Sequence, residues 1–190
     1  WSTKAFVSVV FEESLKVTDI TIRETKKGEI FVAMPGYKTS KMDEHGNPIY
    51  KNYFYPTTAE FRKELHDNII KAYKSNAKEI SVNSGKDKVG VSVAMYPCNF
   101  NENIESIGKI YIDKRFVIDG VRVIEGEKGS FVAMPTKTTE GKDGKTEYSE
   151  VCYPVTKEFR EQLYGEIIKK SNAVKEQKKE IGGFEPISCL

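Results

Sequence analysis

The sequence predicts an α+β fold made of two tandem repeats. Each repeat is a small antiparallel β-sheet with a protruding hairpin and a C-terminal amphipathic helix, and the two repeats pack as a pseudo-dimer. Phe31–Pro35 (FVAMP) recurs 100 residues later as Phe131–Pro135, and residues 55–71 match residues 153–169 at an offset of 98, with 10 of 17 positions identical. Two ordered matches at nearly one offset indicate a duplication. The two-residue difference lies between the blocks, where a loop tolerates it.

Each repeat opens with segments in which apolar and polar residues mostly alternate, as they do in half-buried strands. The apolar positions are Phe6, Val9, Phe11, Leu15, Val17, Ile20 and Ile22 in repeat 1, and Ile110, Ile112, Phe116, Ile118, Val121 and Val123 in repeat 2. Turns at Gly28 and Gly129 lead into the FVAMP strands, where either Phe and Ala or Val and Met fill a core. Residues 89–97 form a further predicted strand. It has no partner in repeat 1, so either repeat 1 lacks its opening strand or that strand precedes Trp1.

A polar arm and a helix complete each repeat. Arm 1 (residues 36–54) and arm 2 (residues 136–152) each contain a glycine turn between extended segments, which predicts a protruding β-hairpin. Thr58 and Thr156 are the predicted N-caps of the helices that follow, and the apolar residues of each helix share one face. Beyond Asn172 the sequence is polar, and we expect a frayed helix end and a loose tail there.

These patterns divide the chain into four parts. Residues 1–75 are repeat 1, residues 76–88 are a linker in which Asn, Ser, Gly and Lys cluster, residues 89–175 are repeat 2, and residues 176–190 are the loose tail. We expect the two repeats to pair within the chain, because a short tether gives tethered partners an effective concentration of about millimolar.

Composition argues against several functional classes. The 30 basic and 28 acidic residues leave a net charge of +2, without the basic excess of a dedicated nucleic-acid-binding domain. Three cysteines without a Cys-x-x-Cys motif indicate reduced thiols in a cytoplasmic protein. No apolar run reaches the roughly 20 residues that span a bilayer. His45 and His66 lack ligand-spaced partners, and no base is indicated near Cys98 or Cys152. We therefore expect no metal site, no cofactor and no enzymatic activity.

The order of these elements resembles the SpoVG family, whose members are bacterial septation regulators. Residues 109–170 match throughout, with a strand pair, a Gly-x-Phe-Val-Ala-Met-Pro segment, a polar arm with a glycine turn, a proline and a short helix. With residues 89–97 as the opening strand, repeat 2 covers the whole family domain, and residues 4–74 match it less well. The resemblance implies a compact antiparallel sheet with a helix, homodimerisation, and a regulatory role in septation or sporulation with DNA or RNA binding.

Basic residues on the arms and helices are the candidates for nucleic-acid binding. Lysine interleaved with tyrosine can hold phosphates and stack bases, and Arg62 and Arg160 recur at one helix position in both repeats. The candidate set is Lys38, Lys41, Lys51, Arg62, Lys137, Lys142, Lys145 and Arg160. The family tends to carry two adjacent basic residues soon after its Met-Pro, whereas this chain has Tyr37-Lys38 in one repeat and Lys137-Thr138 in the other.

Two hypotheses for the function follow. The first is a non-enzymatic regulator of septation that binds DNA or RNA through the arms and the helix faces. The second is a protein-interaction module in cell division that does not touch nucleic acid. Because acidic residues lie among the arm lysines, an ordinary solvated hairpin is the alternative to a binding arm. A hydrolase would instead require a deep pocket with convergent polar groups.

Overall fold

The structure is a computed structural model that describes residues 1–82, 89–99 and 101–181, and the side chains of residues 178–181 lie outside this description. It confirms the α+β class and two repeats that each end in a helix. Repeat 1 contains β1 (Ser2–Phe11), β2 (Leu15–Glu24), β3 (Ile30–Ala33), β4 (Gly36–Met42), β5 (Pro48–Asn52), β6 (Phe54–Pro56) and α1 (Ala59–Lys74). Repeat 2 contains β7 (Val91–Pro97), β8 (Ile104–Ile112), β9 (Phe116–Gly126), β10 (Gly129–Ala133), β11 (Thr136–Glu140), β12 (Thr146–Glu150), β13 (Cys152–Pro154) and α2 (Lys157–Ile181).

Each repeat builds its sheet around a long hairpin. In repeat 1, β2 pairs with β1 and β3, and in repeat 2 the order is β10-β9-β8-β7, all antiparallel. In both long hairpins the two residues of the tight turn, Glu12-Glu13 and Asp113-Lys114, have positive φ angles. This backbone geometry matches the twist of the flanking strands. The predicted strand at residues 89–97 is β7, and repeat 1 has no equivalent of it among the described residues.

A break in alternation within the central strands comes from a β-bulge. Apolar residues in β2 fall at Val17 and then at Ile20, so one residue more than strict alternation allows separates them. At this point Asp19 has a φ of 60° and its counterpart Gly120 a φ of 83°, and the registers of β1 with β2 and of β8 with β9 shift nearby. The extra residue returns the next apolar side chains to the core face.

The two repeats exchange strands. Strand β6 of repeat 1 pairs with β9 of repeat 2, and β13 of repeat 2 pairs with β2 of repeat 1, both antiparallel. The registers are equivalent: Phe54 lies opposite Ile118 in one pair, and Cys152 lies opposite Val17 in the other. Each sheet therefore contains one short strand from the other half of the chain.

Aromatic rings fill one side of the junction between the repeats. The ring centroids of Phe116 and Phe11 lie 4.5 Å apart, and those of Phe116 and Phe54 lie 4.9 Å apart. Phe61 of α1 completes this group. The Arg115 guanidinium lies over the Phe61 ring at 4.3 Å and contacts Glu64 at 3.1 Å, which fixes α1 against the β8–β9 turn of the other repeat. Apolar burial at this junction removes a large area from water, which stabilises the association of the repeats.

The FVAMP strands place Val and Met, rather than Phe and Ala, toward the core. Val32 and Met134 are buried, whereas Phe131 is 51% exposed. Regular pairing stops before Pro35 and Pro135, as the missing amide proton of proline requires. This motif is a structural one, in which the repeated sequence reflects a shared packing position.

The helices begin as predicted but end differently. Thr58 and Thr156 each accept a hydrogen bond from the backbone amide three residues on, at 3.2 Å in both cases. Helix α1 ends at Lys74, followed by Asn76 with a positive φ. Helix α2, in contrast, continues to Ile181.

The expected fraying of α2 beyond Asn172 was therefore wrong. Ser171 is fully buried and shares a hydrogen bond of 2.6 Å with Ser106, and Lys175 contacts Glu105 at 2.6 Å. Val174 packs against the core. These contacts stabilise the helix beyond Asn172, where the sequence is polar, because tertiary packing outweighs local propensity. Residues 83–88 of the predicted linker and residues 182–190 of the predicted tail lie outside the described residues.

Candidate nucleic-acid interface

Both arms are β-hairpins, as predicted, and each is anchored at its base to the other repeat. In arm 1 the Tyr53 amide donates to the Pro35 carbonyl at 2.9 Å, and the Tyr53 carbonyl accepts from the Asp119 amide at 2.8 Å. In arm 2 Val151 makes the equivalent pair of bonds with Pro135 and with Thr18 of repeat 1, both at 2.8 Å. The bases of the arms are thus fixed by backbone hydrogen bonds that directly precede the exchanged strands.

Arm 1 presents lysine opposite tyrosine. Lys38 lies across from Tyr50 and Lys51 lies across from Tyr37, so each pair shares one face of the hairpin. Lys38, Lys41 and Lys51 are all exposed. At the tip the Asp43 carboxylate accepts from the amides of His45 and Asn47, and these bonds lower the pKa of Asp43. Arm 1 carries three lysines and two acidic residues.

Arm 2 is less basic, and two of its candidate lysines are engaged. Lys137 forms an ion pair with Asp19 of repeat 1, and Lys145 contacts Asp143 at 3.3 Å. Lys142 is exposed near the tip. Four acidic residues oppose these three lysines, so the field of arm 2 on a phosphate is weaker than that of arm 1. Two of the three arm 2 lysines therefore have a carboxylate partner within the chain.

The two candidate arginines are exposed in the first turns of the helices. Arg160 donates to the Pro154 carbonyl at 3.4 Å. Arg62 lines a shallow cavity of about 530 Å³ with Thr58 and His66, and it makes no corresponding bond in the described part of the chain. Burial lowers the pKa of His66, and the charge of Arg62 lowers it further. A common contact that would explain the recurring arginine is thus not seen.

Tyrosine rings at the base of arm 1 form a cluster with charged residues of repeat 2. Tyr37 and Tyr53 lie 4.6 Å apart between ring centroids, and burial raises the pKa of both phenols. Nearby, Lys109 contacts Asp119 at 3.3 Å and the Tyr55 hydroxyl at 3.5 Å. Sequence reasoning pointed to tyrosines interleaved with the arm lysines, but it missed Lys109. The alternation of side chains along β8 could have identified Lys109, because it places this residue on the face of the sheet away from the core.

An open groove runs between α2 and β10. It has a volume of about 870 Å³, and its lining includes Phe131, Tyr164, Ile168 and Glu176. The exposed Phe131 ring gives it a mostly apolar floor. Polar side chains of Ser130, Lys169 and Asn172 complete its lining.

Chemistry at the cysteines and acidic groups is limited. Burial strongly raises the pKa of the Cys152 thiol, which keeps it protonated and unreactive at neutral pH. Over residues 1–82, 89–99 and 101–181, no group of three or more His, Cys, Asp or Glu side chains is arranged to hold a metal ion. None of the helices in the described residues is both long enough and apolar enough to cross a membrane.

Comparisons with known proteins agree with the duplicated architecture. The model of the SpoVG family matches the chain twice, over residues 2–75 and 89–173. A SpoVG protein of Archaeoglobus fulgidus, named for septation, is 33% identical over 77 residues, which are 40% of this chain and 86% of that protein. A Thermoanaerobacter relative of the same name is 32% identical over 80 residues, or 42% of this chain and 82% of the relative. An Agathobacter rectalis relative is 37% identical over 67 residues, or 35% of this chain and 72% of the relative.

Each of these relatives accounts for less than half of this chain and for most of its own length, which is the pattern expected when one ancestral domain occurs twice. The repeated strand-hairpin-helix order and the two family matches describe the same two units. This chain belongs to the SpoVG family and carries the family domain in duplicate.

Proposed function

We propose that this chain is a non-enzymatic regulator of the septation type that binds nucleic acid through its arms. The relatives are named for septation, which supports the process. The observation that supports nucleic-acid contact most directly is arm 1, where exposed lysines alternate with tyrosines across a hairpin with a fixed base. Lysine can neutralise phosphates, and tyrosine can stack on bases.

We further propose that the strand exchange reproduces, within one chain, the pairing of two family domains. The reciprocal registers of β6 with β9 and of β13 with β2 support this idea. Pairing within one chain would hold the two arms in a constant relation at any protein concentration, since the second domain is always tethered. A binding site that uses both arms would then not require dimerisation first.

The arms can be tested by removing charge. We expect the triple substitution of Lys38, Lys41 and Lys51 by Gln to weaken DNA and RNA binding about 10-fold to 100-fold at about 50 mM salt. The slope of log affinity against log salt should fall by about 2–3, because each lost phosphate contact removes about 0.7–0.9 from it. Fluorescence anisotropy with labelled oligonucleotides at about 50 and 200 mM salt measures both quantities.

The matched control replaces Lys26, Lys27 and Lys128 by Gln. These lysines are exposed in the β2–β3 and β9–β10 turns, so the control removes the same charge outside the arms. Equal effects of the two triple variants would mean that net charge, and not the arms, determines binding. Absence of any binding by the unaltered chain at micromolar concentration would overturn the proposal.

A second candidate function is a protein-interaction module in cell division. The groove between α2 and β10 favours it, because Phe131 is half exposed there beside Tyr164 and Ile168. The near balance of charge in arm 2 also suits a protein partner. In this case Phe131→Glu should abolish binding of the partner, and the unaltered chain should bind no oligonucleotide.

A further inference from the structure

The outer face of the repeat 2 sheet, on the side away from the core, carries an ordered set of side chains. The strand registers place Ser92, Tyr111, Val117 and Tyr55 in one row across β7, β8, β9 and β6. A second row contains Ala94, Lys109 and Asp119, and a third contains Tyr96, Ile107, Arg122 and Ala133. Neighbouring rows are about 7 Å apart, since they are two residues apart along each strand.

Aromatic rings on this face are open to solvent, and the same face carries cations. Tyr96 is 51% exposed and Tyr111 is 37% exposed. Tyr111 and Lys109 are two residues apart on β8, and Tyr96 lies in the same row as Arg122. Arg122 has no carboxylate partner among the described residues, whereas Lys109 is paired with Asp119. The face therefore offers exposed π-surfaces beside one uncompensated and one compensated positive charge.

The corresponding face of repeat 1 differs at the positions that matter. Hairpin equivalence places Ser8 where repeat 2 has Lys109, Thr21 where it has Arg122, and Val10 where it has Tyr111. Phe6 is exposed on this face. Repeat 1 lacks these two central cations, and its own cations lie elsewhere on this face. Lys16 is in one row with Val10 and Tyr153, and Arg23 lies over the Trp1 ring. The two repeats therefore place aromatic rings and cations at different positions of the shared scaffold, and the set on repeat 2 consists of Tyr96, Tyr111, Lys109 and Arg122.

These features fit one class of ligand. Bases can stack on exposed rings only when they are not already stacked in a duplex, so a flat aromatic and basic sheet face selects single strands. An unpaired guanidinium beside the rings suits a ligand that carries both a π-face and a negative charge. An apolar peptide would satisfy the rings but would leave the Arg122 charge without a counter-ion.

We propose that the outer face of the repeat 2 sheet binds single-stranded nucleic acid, with Tyr96 and Tyr111 stacking on bases and Arg122 and Lys109 contacting phosphates. This inference rests on the proposed nucleic-acid function and adds a preference for single strands over duplex. In this arrangement the lysines of the arms contribute positive charge, and the sheet face contributes the surface on which bases stack. Tyr37 and Tyr53 stand at the edge of this face, since the Tyr53 carbonyl is bonded to the Asp119 amide.

The test uses the full chain with a 12-nucleotide single strand and a duplex of the same sequence. We expect Tyr96→Ala combined with Tyr111→Ala to weaken single-strand binding at least about 10-fold and duplex binding less than about 2-fold. Arg122→Gln should reduce the salt slope by about one. The control pair is Phe6→Ala with Val10→Ala on the repeat 1 face, which should leave both affinities within about 2-fold. Thermal unfolding checks that each variant is folded.

The possible outcomes separate this inference from the proposed function. If the double tyrosine variant keeps single-strand affinity within about 2-fold while the arm variant loses it, the sheet-face proposal is wrong and the arm proposal stands. If the two tyrosine substitutions weaken single-strand and duplex binding equally, the claimed preference is wrong. If the unaltered chain binds no oligonucleotide, both proposals are overturned and the face is left to a protein partner.

Discussion

Repeat 1 and repeat 2 share one scaffold and differ at its edges. Both have a long hairpin with a tight turn at positive φ, a bulge in the central strand, an anchored arm and a helix capped by threonine. Within the described residues, a strand equivalent to β7 occurs in repeat 2 alone; α2 packs on it, and α2 is the longer helix. The shared elements are those that build the exchange between repeats. The difference in the number and length of elements lies outside the exchanged strands.

The edge strand shows what the missing element changes. In repeat 2, β8 lies between β7 and β9, and its Ile110 and Ile112 are fully buried. The equivalent residues of β1, Val9 and Phe11, remain partly exposed, because β1 is covered on one side only among the described residues. The presence of β7 therefore determines whether the equivalent alternating segment is an interior strand or an edge strand of its sheet.

The junction is asymmetric in the same way. Phe54, Phe116 and Phe11 correspond to Cys152, Leu15 and Ile112 on the other side of the exchange. One side of the junction is therefore built from rings and the other from smaller side chains on an equivalent backbone. We expect the two exchanged strands to contribute unequally to stability.

The largest expected effect is at Phe54. Phe54→Ala should lower the free energy of unfolding by about 3–5 kcal/mol, because a fully buried ring in contact with two others leaves a cavity. Cys152→Ala, the same change on the other side of the exchange, should cost roughly 1 kcal/mol, since only the sulfur is lost. Urea denaturation of the full chain measures both values. Equal losses would show that the junction is energetically symmetric despite its composition.

The next effect concerns the bulge. Gly120→Ala should destabilise the chain by about 1–2 kcal/mol, because Gly120 has a φ of 83° and a side chain there is strained. Asp19→Gly should change stability by less than about 0.5 kcal/mol. The substitution removes the ion pair with Lys137, but it also places glycine, which adopts positive φ without strain, where an aspartate has a φ of 60°. Thermal unfolding distinguishes the two variants. A larger loss for Asp19→Gly would mean that the Lys137 contact anchors arm 2.

The smallest effect is at the turn that α1 contacts. Arg115→Ala should lower stability by about 1 kcal/mol, since it removes the contact with the Phe61 ring and a partly solvated ion pair with Glu64. Ser14 occupies the equivalent position in the other long hairpin, and its hydroxyl donates to the nearby Glu12 carbonyl at 2.8 Å. Ser14→Ala should therefore change stability by less than about 0.5 kcal/mol. The difference in stability loss between Arg115→Ala and Ser14→Ala should become smaller at about 1 M salt if the ion pair contributes, because salt screens it.

Local pattern predicted a large share of the fold. Alternation located the long hairpins, glycine turns located the arms, and the threonine caps with an apolar stripe located both helices. It did not predict the end of α2, because the support at Ser171, Val174 and Lys175 comes from strands distant in sequence. The bulge was visible as broken alternation between Val17 and Ile20, but its cause appears only in the backbone angles.

The candidate site was predicted less well than the fold. Residue type and spacing identified the arm lysines, but not that Lys137 and Lys145 are paired with carboxylates. The sheet face was missed, because Tyr96, Lys109 and Arg122 are distant in sequence and meet only across three paired strands. Charge and exposure depend on these neighbours, which a linear pattern does not specify.

The sequence by itself determined that one domain occurs twice, that each copy is a strand-hairpin-helix unit, and which residues of each unit are apolar. These properties are local, because they follow from periodicity, turn chemistry and repetition. Only the tertiary structure decided that β6 and β13 each pair with the sheet of the other repeat, and that Tyr96, Lys109 and Arg122 share one face of the repeat 2 sheet. Strand partners and shared faces are fixed by packing between distant segments, because burial of apolar surface is a property of the whole chain.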